Sequence, residues 1–295
     1  MISWPRPGTR VTVRYRRPAG SVPPLTDAVG HLLEIDPVVR VRTKTGTVVE
    51  FAPADAVAVR ALTDAPLRTS DIRALEHAAA AAWPGLERRW LNGWFLRAAN
   101  GVGMAANSAV PLDLSAGFDA VPEIAAWYAR RGLTPRLAIP DRLLPRAPAS
   151  PAERTDRFLV RDVTAGTEPD PAISLSAAPD GAWLEAHPRA VPVDLLTAVI
   201  DGEVVFGAGP RALARAAVTA APDGTRWLGL SAVRATDEPS AARLCRALIG
   251  WGGGRGATRA YLVVSESRSR TGPLADSLGF RFHHRRRYVP ATVEA

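Results

Sequence analysis

Apolar and polar residues alternate from the start of the chain. Val11, Val13 and Tyr15 interleave with Arg10, Arg14 and Arg16, and Val39 and Val41 interleave with Arg40 and Arg42. This is the two-residue period of half-buried strands. Lys44-Thr45-Gly46 supplies a turn before Val48 to Phe51, and Pro53 to Asp55 another before Val57 and Val59. Short strands at this spacing between residues 8 and 62 predict an SH3-like β-barrel over residues 1–66, with a linker from Asp64 to Thr69.

Beyond the linker the period changes. Ser70 is placed to cap a helix running to Ala82, with Pro84 as its stop. Trp90 to Ala98, Ser108 to Leu112 and Pro135 to Ile139 read as strands, and Phe118 to Arg131 as a helix carrying Ile124, Trp127 and Tyr128. Four prolines between Pro140 and Pro151 mark a connector and divide the remainder at residue 150. Strands follow at Ile173 to Ser176, Leu195 to Ile200, Glu203 to Phe206, Ala212 to Thr219 and Trp227 to Val233, with a helix at Gly181 to Glu185. Gly207-Ala208-Gly209-Pro210 reads as a hairpin turn. A helix over Ala241, Leu244, Cys245, Leu248 and Trp251 ends in Gly252-Gly253-Gly254 and leads into a buried strand from Ala260 to Val264. A short helix from Pro273 and a basic strand from Phe280 to Val289 complete the chain. The whole predicts an α+β protein: a barrel over 1–66, then a mixed sheet flanked by helices in two halves, 67–150 and 151–295.

Charge adds less than its size suggests. The formal net charge is +8, but Lys44 is the only lysine, so all but one of the 37 basic residues are arginine. The excess is spread evenly between residues 1–69 and the rest, and is concentrated on two strands, at Arg14, Arg16 and Arg17 and at Arg281, Arg285, Arg286 and Arg287. Solvated surface is the default reading of both; contact with an acidic partner, the adenosine 3′-phosphate of coenzyme A or nucleic acid is the alternative. Cys245 has no second cysteine to pair with, and it sits on the apolar side of its helix as an inert buried thiol. No metal-ligand spacing is present, and His283 and His284, as strand neighbours, are expected on opposite faces. No apolar run is long enough for a membrane span, and Met1 to Arg10 lack the apolar core of a signal peptide, so a cytoplasmic protein without membrane contact is expected.

The stretch from Arg255 to Leu262, followed by Leu278-Gly279-Phe280, resembles the GCN5-related N-acetyltransferase superfamily. Trp94-Phe95-Leu96-Arg97-Ala98-Ala99-Asn100-Gly101 with Ala106-Asn107-Ser108-Ala109-Val110-Pro111-Leu112 is similar to the signature of an actinobacterial subgroup. Its members place an SH3-like domain before the transferase domain and are described as N-acetylglutamate synthase-like or histone acetyltransferase-like. The resemblance implies transfer of an acetyl group from acetyl-CoA to a primary amine, on glutamate or another small amino acid or on a protein lysine. It implies two splayed strands for the pantetheine and a helix N-terminus for the pyrophosphate, carried here to Val233, Arg234, Ser240, Ala241 and Arg243. Trp94, Asn107 and Ser108 fall on the acceptor side. Trp90 and Trp94, four apart on one predicted strand, are expected on one face, where packing is the bland reading.

The sequence departs from the family at that helix. Arg234 to Ala242 contain no glycine, Asp237 and Glu238 bring negative charge to the positive helix end, and Pro239 removes an N–H donor. Arg268 and Ala275 stand where relatives carry asparagine and the tyrosine that protonates the leaving thiolate. Tyr261 and Tyr288 are phenols nearby, though neither falls on the motif position. Glu266, at the end of the fifth strand, is the candidate general base, its bland reading a solvated carboxylate. A second reading stays open: a transferase fold with impaired catalysis that binds protein or nucleic acid through the barrel and the arginine clusters.

Overall fold

The computed structural model describes residues 4–5, 7–43, 45–62, 67–145, 151–163, 170–186, 191–267 and 272–291. The first half of the expected linker, residues 64–66, and the middle of the proline-rich connector lie outside the described residues. The chain forms two compact units, Met1–Leu67 and Arg68–Ala295.

The first unit is one antiparallel sheet: β1 (Arg10–Arg16), β2 (Leu25–Glu34), β3 (Val39–Thr43), β4 (Val48–Phe51) and β5 (Ala56–Ala61), in the order β4-β3-β2-β1-β5. Alternation sends Val11, Val13, Leu32, Val39 and Val41 inward, and Tyr15 stacks on Phe51 at 4.1 Å. Strand β2 escapes the alternation rule because Val29 and Leu33 are apolar on its exposed face.

The second unit contains α1 (Thr69–Ala82), β6 (Glu87–Leu91), β7 (Trp94–Ala98), β8 (Ala109–Pro111), α2 (Val121–Ala129), β9 (Arg136–Pro140) and β10 (Arg154–Asp162). These are followed by β11 (Ser174–Ser176), α3 (Gly181–Ala186), α4 (Val193–Thr197), β12 (Glu203–Gly209), β13 (Ala212–Ala220), β14 (Arg226–Ala235), α5 (Glu238–Gly253), β15 (Arg259–Ser265), α6 (Gly272–Ser277) and β16 (Arg281–Pro290). All its strands join one sheet, ordered β11-β12-β13-β14-β15-β10-β16-β9-β8-β7-β6. No helix among the described residues is long and apolar enough to cross a membrane.

That order contains a repeat. In β6-β7-β8-α2-β9 and again in β12-β13-β14-α5-β15, three antiparallel strands lead through a helix into a strand parallel to the third. The two sets run outward from the sheet centre in opposite senses. The strand after each set crosses over: β10 pairs with β15 of the later set, and β16 with β9 of the earlier one. Residues 67–150 and 151–295 are therefore tied together through the middle of one sheet.

Four expectations change. Trp90 and Trp94 do not share a strand: Asn92 (φ 44°) and Gly93 (φ 80°) make a tight turn between β6 and β7, leaving Trp90 exposed and Trp94 in the core. Leu195 to Ile200 is not a strand but contains the end of α4, begun by Pro192, because a short apolar run carries no period of its own. The central strand β10 went unread because its ends, Arg154 to Arg157 and Arg161-Asp162, are mostly charged. His283 and His284 do not face apart, since a bulge opposite Phe158/Leu159 turns both rings to one side, with their Nδ1 atoms 2.7 Å apart.

Alternation along β14 and β15 divides the core. Leu228, Leu230 and Leu262 pack against α5 and α6, whereas Trp227 and Tyr261 face α1 with Phe158. Four carbonyls at the C-terminal end of α1 are held by the sheet and a neighbouring loop. Ala78 O accepts from Thr219 Oγ1 (2.8 Å), Ala81 O from Ile200 N (2.9 Å), Ala82 O from Arg215 Nη2 (2.9 Å) and Trp83 O from Arg97 Nη1 (3.2 Å). Two cations thus meet the negative end of the helix dipole, and α1 is fixed over the sheet.

Candidate functional site

The parallel pair β14 and β15 is joined only from Trp227↔Arg259 to Leu230↔Leu262. Past that point β14 stays with β13 through a bulge, in which Ala232 adopts φ 52°, while β15 stays with β10 as far as Ser265. The strands part, and Ser231 to Ala235 face Val263 to Ser265 across an opening whose backbone groups are unpaired between the two strands. Bare strand edges of this kind can pair with an extended, amide-bearing ligand.

At the closed end of the opening Tyr261 lies over Gly229, where a Cβ would collide with the phenol oxygen. Burial raises the phenol well above the ordinary tyrosine range, while Arg215, Arg286 and Arg97 pull it back and Glu76 adds to the rise. Those four groups are all buried. Glu76 of α1 receives Arg286 Nη1 at 2.8 Å and His284 Nε2 at 2.9 Å, and Arg286 Nη2 also reaches Tyr288 Oη at 2.8 Å. Burial works to raise the Glu76 carboxyl, but Arg286 and His284 outweigh it and hold it at about 2. Among the described residues neither Arg97 nor Arg215 pairs with a carboxylate; burial lowers each to about 10, and carbonyl and hydroxyl oxygens accept from them. The α1 side of the sheet thus holds three buried guanidinium groups, Arg97, Arg215 and Arg286, and two buried carboxylates, Glu76 and Asp156.

At the other end, α5 begins with its dipole already answered. Asp237 caps it, Oδ1 accepting from Ser240 N at 2.8 Å, while Ala241 N donates to Asp237 O and Pro239 has no N–H. Arg211 Nη1 lies 3.6 Å from Asp237, and Arg243 donates from Nε and Nη2 to the two carboxylate oxygens of Asp170. The first turn of α5 therefore offers little to an anion.

The predicted residues fall unevenly around this geometry. Val233 and Arg234 lie on the β14 wall, Val233 packed toward α5, and Ser240, Ala241 and Arg243 lie on the first two turns of α5. Glu266 follows β15, exposed, its Oε1 accepting from Arg285 Nε at 2.7 Å. Trp94 is fully buried against α2, donating Nε1–H to Gly117 O at 2.9 Å, so it lines no ligand surface. Asn107 accepts from Ala99 N and Gly101 N and donates to Val102 O and Gly103 O, so all its capacity goes to folding its own loop. Ser108 is sealed between Arg97 and Ala105 O. Arg286, read as solvated surface, is core. Glu76, Arg97, Arg215 and His284 were missed as a group, although Glu76 interrupts the apolar stripe of Ile72, Leu75 and Ala79, and Arg215 an apolar strand.

Residues 69–289 match the family model described as "Probable histone acetyltransferase Rv0428c C-terminal", and residues 5–60 the model described as "Rv0428c N-terminal Sm-like domain". The barrel expected to be SH3-like is thus Sm-like. The "Probable histone acetyltransferase Rv0428c" of Mycobacterium tuberculosis (strain ATCC 25618 / H37Rv) is 62% identical over 297 residues, covering 99% of this chain and 97% of that protein. A GCN5-related N-acetyltransferase from Kribbella flavida superposes with a TM-score of 0.51 at 13% identity, over 77% of this chain and 96% of its own. The chain belongs to the Rv0428c family, a GCN5-related N-acetyltransferase fold behind an N-terminal Sm-like domain.

Proposed function

We propose that the protein transfers an acetyl group from acetyl-CoA to a primary amine, with a protein lysine as the acceptor. The observation that carries this reading is the parting of β14 and β15 after Leu230↔Leu262, which leaves two strand edges free for the pantetheine amides. The name of the Mycobacterium tuberculosis relative, a histone acetyltransferase, favours a protein lysine over a small amino acid such as glutamate. Val233 and Arg234 would border the donor, and Ser240, Ala241 and Arg243 would lie at its phosphate end. Glu266, on the strand that forms one wall, is the carboxylate placed to take a proton from the amine through water. When bound, acetyl-CoA supplies the activated acyl group; the chain's residues supply position and charge.

A second reading has its own support. Asp237 and Pro239 occupy the place where an anion would bind, which suits a protein that keeps the fold as a scaffold and binds protein or nucleic acid through its arginines. Calorimetric titration of the full chain with acetyl-CoA separates the two. Micromolar binding supports the enzyme, and absence of heat at high micromolar concentration removes it.

A further inference from the structure

On the sheet face opposite α1, Leu159 and Leu262 lie under α5 and α6, and Ile139 and Val289 under α2. Between these two cores the central strands leave a patch uncovered. The bulge that turns His283 and His284 toward α1 sets Phe282 and Arg285 on the other side, where Arg157 of β10 joins them. All three are exposed, Phe282 by 47%. Arg157 and Arg285 are direct cross-strand partners, and like charges in that position repel. Both guanidinium groups lie over the Phe282 ring, at 5.3 and 5.2 Å from its centroid. Arg285 is answered: its Nε donates to Glu266 Oε1 at 2.7 Å, and its backbone N donates to Asp141 Oδ2 at 3.0 Å. Arg157 and the neighbouring Arg287 pair with no carboxylate among the described residues. An open guanidinium beside an exposed ring matches a carboxylate carried on a short apolar stem.

We propose that Arg157 and Phe282 recognise an acidic residue of the acceptor protein a few positions from the lysine to be acetylated, an inference that rests on the acyl transfer proposed above. Two contacts tie the patch to that reaction. Val264, directly opposite Arg157, belongs to the β15 wall of the opening. Arg285 bonds Glu266, where the amine would lose its proton, and lies over the same ring as Arg157. Contacts of this length separate Glu266 from the Arg157 guanidinium by a span that roughly four or five extended residues cover, at ~3.3 Å each. Phe282 packs against the CH₂ groups of the acidic residue, and Arg157 takes its carboxylate. A uniformly basic segment meets Arg157, Arg285 and Arg287 and is repelled.

The test uses the full chain and two fluorescent peptides, each with a single lysine flanked on both sides by three glutamates in one and three arginines in the other. By fluorescence anisotropy the glutamate peptide should bind ~10-fold more tightly, with the gap closing as salt is raised. Arg157→Glu should reverse the order of the two peptides, and Arg157→Gln should bring their affinities together. The thermal midpoint of both variants should equal or exceed that of the parent, because a like-charge pair is removed. With acetyl-CoA present the same order should appear in kcat/KM, carried by KM rather than kcat. Equal binding of the two peptides, or an order that Arg157→Glu leaves unchanged, overturns the recognition site, and acetylation of either peptide then leaves acyl transfer standing. An oligothymidine that binds in an Arg157-dependent way while neither peptide does overturns it as well, since the patch would then be a nucleic-acid surface. Arg157-dependent binding of the glutamate peptide by a parent protein that binds no acetyl-CoA overturns acyl transfer and keeps the carboxylate site.

Discussion

Glu76 of α1 and Arg286 of β16 are joined across 210 positions of sequence by a sealed ion pair, Oε2 to Nη1 at 2.8 Å. The other carboxylate oxygen takes His284 Nε2, and the Nδ1 atoms of His284 and His283 lie 2.7 Å apart. A carboxylate only accepts, so His284 carries a proton on Nε2. The Nε2 of His283 is buried without a hydrogen-bond partner among the described residues. Helix and sheet are thereby bonded through charge at the centre of the repeat, where β10 and β16 cross over.

Removing one partner should cost far more than removing both. Glu76→Ala leaves Arg286 in the core without its counter-ion, and a loss of about 3–5 kcal/mol is expected from denaturant unfolding. Replacing Glu76 by Leu together with Arg286 by Met should recover most of that loss. A double variant no better than Glu76→Ala would mean that the pair is needed for the packing of α1 and is not merely self-compensating.

Acid should act on this network in two stages. Burial, with the neighbouring His284 and Arg259, depresses the His283 imidazole to about 3. The unfolded chain therefore takes up a proton near pH 6.5 that the folded chain refuses, and stability falls as pH drops from 6.5 toward 3. Glu76, held at about 2, adds stability that is complete above the ordinary carboxylate range and is lost as pH falls from about 4.5 to 2. Each group contributes a slope of up to ~1.4 kcal/mol per pH unit. Urea midpoints measured from pH 7 to 3 should fall from the upper end, and His283→Gln should delay the fall to below pH 5. A midpoint independent of pH between 7 and 5 would contradict the buried, neutral state of His283.

Periodicity made legible whatever buries one face. The barrel strands with clean alternation, α1, α5 and β13 to β15 stand within a residue or two of where the sequence puts them. It failed where a residue's neighbours decide its place. Asn92-Gly93 reverses the chain inside one apolar run, and β10 is the middle of the sheet although charged at its ends. Adjacent histidines share a face only because of a bulge that their own residues do not encode. The site divides the same way. Asp237 and Pro239 at the start of α5 were readable because capping is local, whereas the meeting of Glu76 with Arg286, and of Tyr261 with Gly229, depends on strand order. Asn107 and Ser108 are polar residues in an apolar stretch, a signal that marks a loop satisfying itself as readily as a site.

The cap on α5 gives an opposed pair of effects. Asp237 accepts from Ser240 N and is held low by that bond. Asp237→Ala should weaken the start of the helix, lowering the thermal midpoint slightly. It also frees Ser240 N and removes a negative charge from the helix N-terminus, so coenzyme A should bind several-fold more tightly by calorimetry. Unchanged affinity would place the phosphates elsewhere.

Cys245 offers a probe of α5 that needs no added label. It is the chain's single cysteine, packed on the α5 face that covers β13 and β14, and burial pushes its thiol up to about 12. Both access and ionisation are denied to it in the folded state, and a thiol reagent attacks only the thiolate. Labelling by a disulfide reagent at pH 8 should therefore wait on opening of the core, with a rate insensitive to reagent concentration once reagent outpaces reclosing. Glu76→Ala should accelerate labelling if α1 and α5 open together from their opposite faces of the sheet. If instead Glu76→Ala lowers the urea midpoint while leaving the labelling rate unchanged, the α5 side holds as a separate unit, and the ion pair secures only the α1 side of the sheet.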